Sequence, residues 1–250
     1  MIASLPMYDR PETAGANDRF WDGVREHLAE RGIAAPERLS RGEDLWSCWE
    51  NPDLFLSQTC GLPYRSRLHG KVRIVGTPDY RLEGCPPGHY ASWMIVRADD
   101  DRTEPHHWRE KRFVFNEARS QSGWAGPLAH ALRLGSGFAS MRESGSHVAS
   151  ARAVAEGEAD IAGIDAQTWR MIEACDPWAD RLRRIGTTPP TPGLPFITGP
   201  HTPPETVAAL RAAIGAAIAA LSAGDRAVLH LHDIVTIDAA DYLAVPTPQA

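Results

Sequence analysis

Apolar positions recur along this chain in short blocks that switch between two spacings. Residues 2–8 (IASLPMY) alternate weakly and end in a Pro/Asp turn, as a strand does when successive side chains point to opposite faces. Residues 17–32 take the helical spacing. Phe20, Trp21, Val24 and Leu28 fall on one face, Asn17 or Asp18 can cap, and Gly32 stops the run. A second helix is predicted over 42–50. Strands are predicted over 53–60, 71–80 and 89–100, separated by Gly/Pro turns.

The same alternation then returns. Residues 111–116 predict a strand, and SGWAGPLAHALRL (122–134) predicts a helix. Residues 143–174 read as turn, helix, strand, turn, helix, and 181–188 as a strand. A Pro-rich passage holds one further strand, LPFIT (194–198), before an Ala-rich helix at about 203–222. The tail, 224–250, stays open: AVLHLHDI (227–234) alternates like a strand and equally fits a helix followed by a loop.

Strands alternating with helices over short links predict an α/β protein. The pattern divides into two α/β units joined at about 93–100 and again at about 185–192. The expectation is a two-lobed molecule: a discontinuous first lobe, 1–94 with 190–250, and a second lobe, 95–189. Ligands of open α/β sheets sit outside the carboxyl ends of the strands, so a ligand cleft between the lobes is expected.

Composition narrows the function. The chain has 250 residues, 43% of them hydrophobic, enough for one large core or two modest ones. Its net charge is −6 and the charges are dispersed, which gives no basic run for nucleic acid or an anionic membrane. No stretch of about 18 apolar residues is present, so no transmembrane helix is predicted. MIASLPMYDRP has no basic leader region, long apolar run or A-x-A site, and so does not read as an export signal.

Each polar cluster of interest falls just after an apolar strand. Tyr8 follows the first, Thr59 (in SQTCG) the second, and Tyr90 begins the strand that crosses to lobe two. Ser120-Gln121-Ser122-Gly123 lies at a seam between strand and helix. Free backbone N–H groups and hydroxyls there can cradle an anion without a lysine, or Ser120 can simply cap a helix. His147 stands in the first turn of the next helix, where an imidazole can donate to an oxyanion. Asp165 closes the strand ADIAGID, where it can accept from a ligand proton or cap the following helix.

Ser122, His147 and Asp165 can be drawn as a catalytic triad, but no G-x-S-x-G elbow accompanies the serine. His106-His107 and HLHD (230–233) lack a third ligand at useful spacing, so no metal site is predicted. Of four cysteines, Cys60 and Cys85 lie in Gly/Pro turns. A Cys60–Cys85 bridge is one reading and four ordinary thiols the other.

Taken in order, LSQTCGLPYR, VGTPDY, GHYASWMIVR, NEARSQSG, GSHVASARAVAEGEADIAGIDAQTW and TPGLPFIT resemble the PhnD-like phosphate, phosphite and phosphonate substrate-binding proteins of ABC transporters. That resemblance covers most of the chain. It implies a two-lobed periplasmic-binding-protein-like fold (type II), a small oxyanion as ligand, no cofactor, an ABC permease as partner and a monomer. It assigns the phosphonate oxygens to Ser120, Gln121, Ser122 and Gly123, with His147 beside them. A carboxylate near Asp165 serves the amine of aminophosphonates, and Tyr90 matches a crossover tyrosine. Gln121 stands where the family usually has a hydroxyl residue. The resemblance implies a periplasmic location; a natural start at Met1 implies a cytoplasmic one. Two other functions fit the same fold: an enzyme of the thiamine-precursor or menaquinone-precursor type, and a ligand sensor.

Overall fold

The protein is described by a computed structural model, which covers residues 1–248. The chain divides into two compact units. Unit 1 is Met1–His89 with Pro192–Ala244, and unit 2 is Tyr90–Thr191 with the short stretch from Val245.

Unit 1 is built on a five-stranded sheet. Its strands are β1 (Ile2–Ser4), β2 (Leu54–Gln58), β3 (Arg73–Asp79), β11 (Phe196–Thr198) and β12 (Asp233–Val235), in the order β1-β2-β11-β3-β12. β1 runs parallel to β2, while β11 is antiparallel to both β2 and β3. The carboxyl ends of β1, β2 and β3 therefore share one edge of the sheet.

Helices α1 (Pro11–Ala29) and α7 (Pro204–Ala220) pack together against this sheet. Phe20, Trp21, Val24 and Leu28 of α1 are all buried, in one cluster with Leu210, Ala213, Ile214 and Ala217 of α7. The alanines of α7 let the two backbones approach: a Cβ at Gly23 would touch Ala217 Cβ at 3.4 Å. Shorter helices α2 (Leu45–Trp49), α3 (Gly61–Pro63), α8 (Ala223–Leu229) and α9 (Ala239–Leu243) complete the unit.

Unit 2 is a second five-stranded sheet, ordered β7-β6-β8-β5-β9. The strands are β5 (Ser92–Arg97), β6 (Arg112–Phe115), β7 (Ser140–Glu143), β8 (Ile161–Asp165) and β9 (Leu182–Thr187). β6 is parallel to both β7 and β8, and β5 is antiparallel to β8 and β9. Helix α4 (Gly126–Arg133) follows β6, α5 (His147–Ala155) follows β7 and α6 (Ala166–Cys175) follows β8. The three parallel strands thus deliver their helices from a single sheet edge. A two-stranded pair, β4 (His89–Tyr90) with β10 (Thr191–Pro192), forms where the chain passes between the units.

Several expected boundaries differ. A unit boundary at 94 would cut β5, which pairs along its whole length with β8 and β9, so the division falls at His89/Tyr90 instead. The strand expected over 2–8 ends at Ser4, and Pro6–Tyr8 forms a 3-10 turn. Helix α1 starts six residues before Asn17, because Pro11 takes its first position and Thr13 Oγ1 accepts the Arg10 amide at 2.8 Å. Asn17 and Asp18 are therefore interior residues.

The open tail resolves into α8, β12 and α9. Tyr242 of α9 is buried and shares a 2.7 Å hydrogen bond with Thr77 of β3. No helix among the described residues is by itself long and apolar enough to cross a membrane.

No disulfide forms: Cys60 and Cys85 are both thiols. Cys60 is buried at the start of α3, beside Tyr242, whereas Cys85 is half-buried in the turn after β3.

Candidate functional site in unit 2

The buried strand β6 ends at Phe115, and the chain turns through Asn116–Arg119 before reaching Ser120. Ser120 adopts the extended backbone of a cap, and its Oγ accepts from the Gly123 amide at 2.9 Å. Residues Gln121–Ala125 then form a wide π-type turn, in which the Ala125 amide reaches Ser120 O at 3.0 Å, and this runs directly into α4. Single π-turns of this kind are frequent at functional sites. The Ser122 amide lies in the first turn, ahead of any intrahelical acceptor. Ser120, Gln121 and Ser122 are all buried.

His147 opens α5, whose cap is Ser146. Its Nε2 lies 2.9 Å from Ser122 Oγ, so two residues 25 apart in sequence meet at the sheet edge. The residue is partly exposed, yet Nδ1 is out of contact with solvent and has no hydrogen-bond partner. Burial of the ring lowers its pKa from 6.5 to about 4, with the Gly163 backbone acting in the opposite direction. The ring is therefore neutral near pH 7 and offers one donor and one acceptor.

A folded-state pKa below the unfolded value has a defined consequence for stability. Above pH 6.5 both states are neutral and nothing is lost. As the pH falls from 6.5 towards 4, the unfolded chain takes up a proton that the folded ring refuses, which costs up to about 3 kcal/mol by pH 4. We expect His147→Gln to flatten this part of the stability–pH curve, measured by urea denaturation at pH 7, 5.5 and 4.5.

Asp165 ends β8 opposite Ser92, is buried, and caps α6 by accepting the Thr168 amide at 2.8 Å. Tyr90 is buried at the start of unit 2, next to Ala91, whose carbonyl accepts the Ala166 amide. Ser120–Gly123, His147 and Asp165 thus follow the carboxyl ends of three parallel strands, which is where ligands of such sheets bind. A triad is not formed: Asp165 is engaged with Thr168, and no carboxylate meets His147 Nδ1.

The remaining candidates lie in unit 1. Tyr8 is buried and stacks edge-on against Tyr80 at 5.1 Å. Tyr8, Asn17, Gln58 and Tyr80, with apolar neighbours, line a cavity of about 20 Å³, room for one water. Thr59 is fully buried, and its hydroxyl has no partner. Orphaned groups of this kind are rare and call for a reason. A larger pocket of unit 1, about 470 Å³, is lined by residues such as His69, Arg73, Arg211 and Asp238 and contains none of the candidates.

Three residues that the sequence did not single out belong to the unit 2 site. Asn116 has a solvent-free Oδ1 with no hydrogen-bond partner, directly over Gly123. Gly163 of β8 backs the turn: a Cβ there would lie 2.1 Å from Pro127 Cγ. Glu117 has a carboxyl pushed above its usual range by burial and by Glu143, against the pull of Arg119. Only Asn116 carried a signal, as an Asn beginning a turn after a strand.

The profile of the family described as "ABC transporter, phosphonate, periplasmic substrate-binding protein" matches residues 69–242. Many solved structures share the fold. The binding-protein component of an ABC phosphonate transporter from Pseudomonas aeruginosa is 16% identical, with a TM-score of 0.70 over 97% of this chain and 82% of that one. PhnD1 from Prochlorococcus marinus, in complex with methylphosphonate, is 14% identical, with a TM-score of 0.70 over 96% and 94%. XAC2383 from Xanthomonas citri, bound to ATP, is 16% identical, with a TM-score of 0.70 over 96% and 92%. No curated protein sequence matches the chain.

Proposed function

Because the chain belongs to the family of phosphonate periplasmic substrate-binding proteins of ABC transporters, we propose that its unit 2 turn captures a small tetrahedral phosphorus oxyanion and performs no chemistry on it. The ligand is of the phosphate, phosphite or phosphonate class, and the monomeric chain presents it to an ABC permease or reports its presence. The observation that carries this reading is the Ser122–His147 hydrogen bond at the mouth of a buried, hydroxyl-rich helix start. Such a turn offers backbone amides, hydroxyls and an imidazole to ligand oxygens, and the helix dipole favours negative charge there.

The solved relatives support the choice of ligand class. One binds methylphosphonate and another ATP, and the two share phosphorus-bound oxygens. Within unit 2, Ser120, Ser122, the amides near Gly123 and His147 would hold those oxygens. Asp165 would serve a proton-bearing group of the ligand through whatever capacity its capping bond leaves. Tyr90 would add a phenol from the start of the unit. Thr59 and Tyr8 are the corresponding candidates of unit 1, where the orphaned Thr59 hydroxyl supports a ligand contact.

A serine–histidine pair also belongs to hydrolases, so the enzyme reading needs its own test. A nucleophilic serine needs a base of suitable pKa oriented by a third group. His147, with a pKa of about 4, is a weak base near pH 7, and no carboxylate orients it. These features favour capture over catalysis.

The test is calorimetric titration with methylphosphonate, phosphite, phosphate, aminoethylphosphonate, sulfate and ATP. At 100 times its Kd, a true ligand should add about 2.7 kcal/mol of stability. Ser122→Ala should weaken the best ligand by about 1–3 kcal/mol, or roughly 5- to 150-fold, because it removes a donor to a buried oxyanion. Unchanged affinity would remove the turn from the site. Steady product formation by the wild type, lost in Ser122→Ala, would replace capture by catalysis.

A further inference from the structure

We infer that Asn116 reads the ligand's proton: its Oδ1 accepts a hydrogen bond from the P–OH of a singly protonated phosphorus oxyanion held on the 120–123 turn. This rests on the oxyanion-capture reading above and adds a criterion to it, that the preferred ligand carries an acidic proton.

Asn116 presents an unmet acceptor. Asn116 Oδ1 is shielded from solvent and has no hydrogen-bond partner. An amide oxygen left in that condition is costly, so a structure retains one where something else satisfies it. The residue is fixed in place, since its backbone carbonyl accepts the Gly145 amide at 2.8 Å and extends the β6–β7 pairing into the loop.

Its position is fixed as well. A Cβ built on Gly123 would fall 1.8 Å from Asn116 Oδ1 and 3.1 Å from His147 Cε1. The amide oxygen and the imidazole therefore converge above Gly123, and only a residue without a side chain leaves room for that oxygen. The other elements of the cradle, the amides and hydroxyls, can all donate. An amide oxygen only accepts.

Ligand charge follows from this. A fully deprotonated tetrahedral oxyanion has acceptors alone and would set a lone pair against the Asn116 oxygen. A singly protonated one turns its hydroxyl to that oxygen and its remaining oxygens to the donors. Glu117 and Glu143 beside the turn also disfavour a second negative charge, against the pull of Arg119. Specificity of this type is strong, because the wrong ligand leaves a buried polar group unpaired.

The experiment compares two anions of one shape at pH 7 by calorimetric titration. Methylphosphonate has a titratable P–OH, and methylsulfonate has none. The wild type should bind methylphosphonate at least about tenfold more tightly. Asn116→Leu keeps the bulk and removes the acceptor. It should weaken methylphosphonate roughly 5- to 150-fold and leave methylsulfonate unchanged, so the preference collapses. Asn116→Asp keeps an acceptor at the same place and should preserve or sharpen the preference.

Equal losses for both anions in Asn116→Leu, or an unchanged ratio, would overturn the inference while leaving oxyanion capture standing. A gain of methylphosphonate preference in Asn116→Leu would place Nδ2, a donor, where Oδ1 is assigned, and would overturn it too. If the Leu variant fails to fold, Asn116→Asp decides: loss of the preference there overturns it. A wild type that binds neither anion overturns the capture reading and this inference together.

Discussion

Replacing Lys111 by Met is expected to destabilise unit 2 by about 3–5 kcal/mol, the usual result of removing one partner from a buried ion pair. Lys111 is 1% exposed, just ahead of β6, and its ammonium bonds the Asp100 carboxylate, which is 13% exposed. Burial pushes the Asp100 carboxyl up, but the bonds from Lys111 and the Arg102 amide outweigh it and hold the group below the usual carboxylate range. The Lys111 backbone is committed too: its carbonyl accepts the Ala139 amide beside β7, and its own amide reaches Trp108 O. Removing the ammonium leaves the largely buried Asp100 carboxylate without its charged partner. Since Asp100 retains some access to water, the loss should fall at the lower end of the range. The double substitution Lys111→Met/Asp100→Asn, which removes both charges, should recover part of it. Urea denaturation of the three proteins measures this. A single variant within 1 kcal/mol of wild type would mean that the pair contributes nothing.

Much of this architecture was legible in the sequence, for identifiable reasons. The apolar runs of β2, β3, β6 and β8 are buried along nearly their whole length, and uninterrupted burial is what a run of Val, Ile, Leu and Phe reports. The face of α1 made by Phe20, Trp21, Val24 and Leu28 packs as its spacing says. Strand β7 escaped because its four residues are all exposed: an edge strand held by backbone pairing to β6 leaves no hydrophobic trace. The first turn of α1 escaped because its cap is Arg10 with Thr13, a pairing without a familiar signature. In the tail, the αL residue His230 ends α8 and lets Leu231 turn into the same core as Leu229, so the alternation of Leu229 and Leu231 mimics a strand.

The site follows the same logic. Ser120, Ser122 and His147 could be flagged from their places at helix starts, but their meeting depends on β6 and β7 being parallel neighbours, which is a property of the sheet. Asn116 showed only as the start of a turn and Gly163 not at all, because their roles are spatial. One supplies an acceptor over Gly123 and the other supplies the absence of a side chain.

Gly163→Ala should therefore have a large effect on ligand binding, although Gly163 lies in a buried strand and offers no side chain to a ligand. The new Cβ would stand 2.1 Å from Pro127 Cγ, 2.9 Å from Pro127 Cβ and 3.3 Å from Ser122 O. Proline cannot swing aside, because its ring is tied to the backbone of α4. The strain must be relieved by lifting the whole segment Ser122–Pro127 off β8. Overpacking of this kind costs about 1–3 kcal/mol of stability. Its effect on capture should be larger, since a displacement of about 1 Å in the supporting structure can cost a site on the order of 100-fold. Gly186 of β9 serves as the control, because a Cβ there meets nothing within 4 Å. Gly186→Ala should leave both stability and affinity near wild type, within about 0.5 kcal/mol. The measurement is paired: urea denaturation for stability and calorimetric titration with methylphosphonate for binding, on both variants. Loss of binding in Gly163→Ala alone, beyond its loss of stability, would support the turn over β8 as the seat of the oxyanion. Wild-type affinity in Gly163→Ala would show that the Ser122–Pro127 segment can move without consequence, and the oxyanion would have to be held elsewhere.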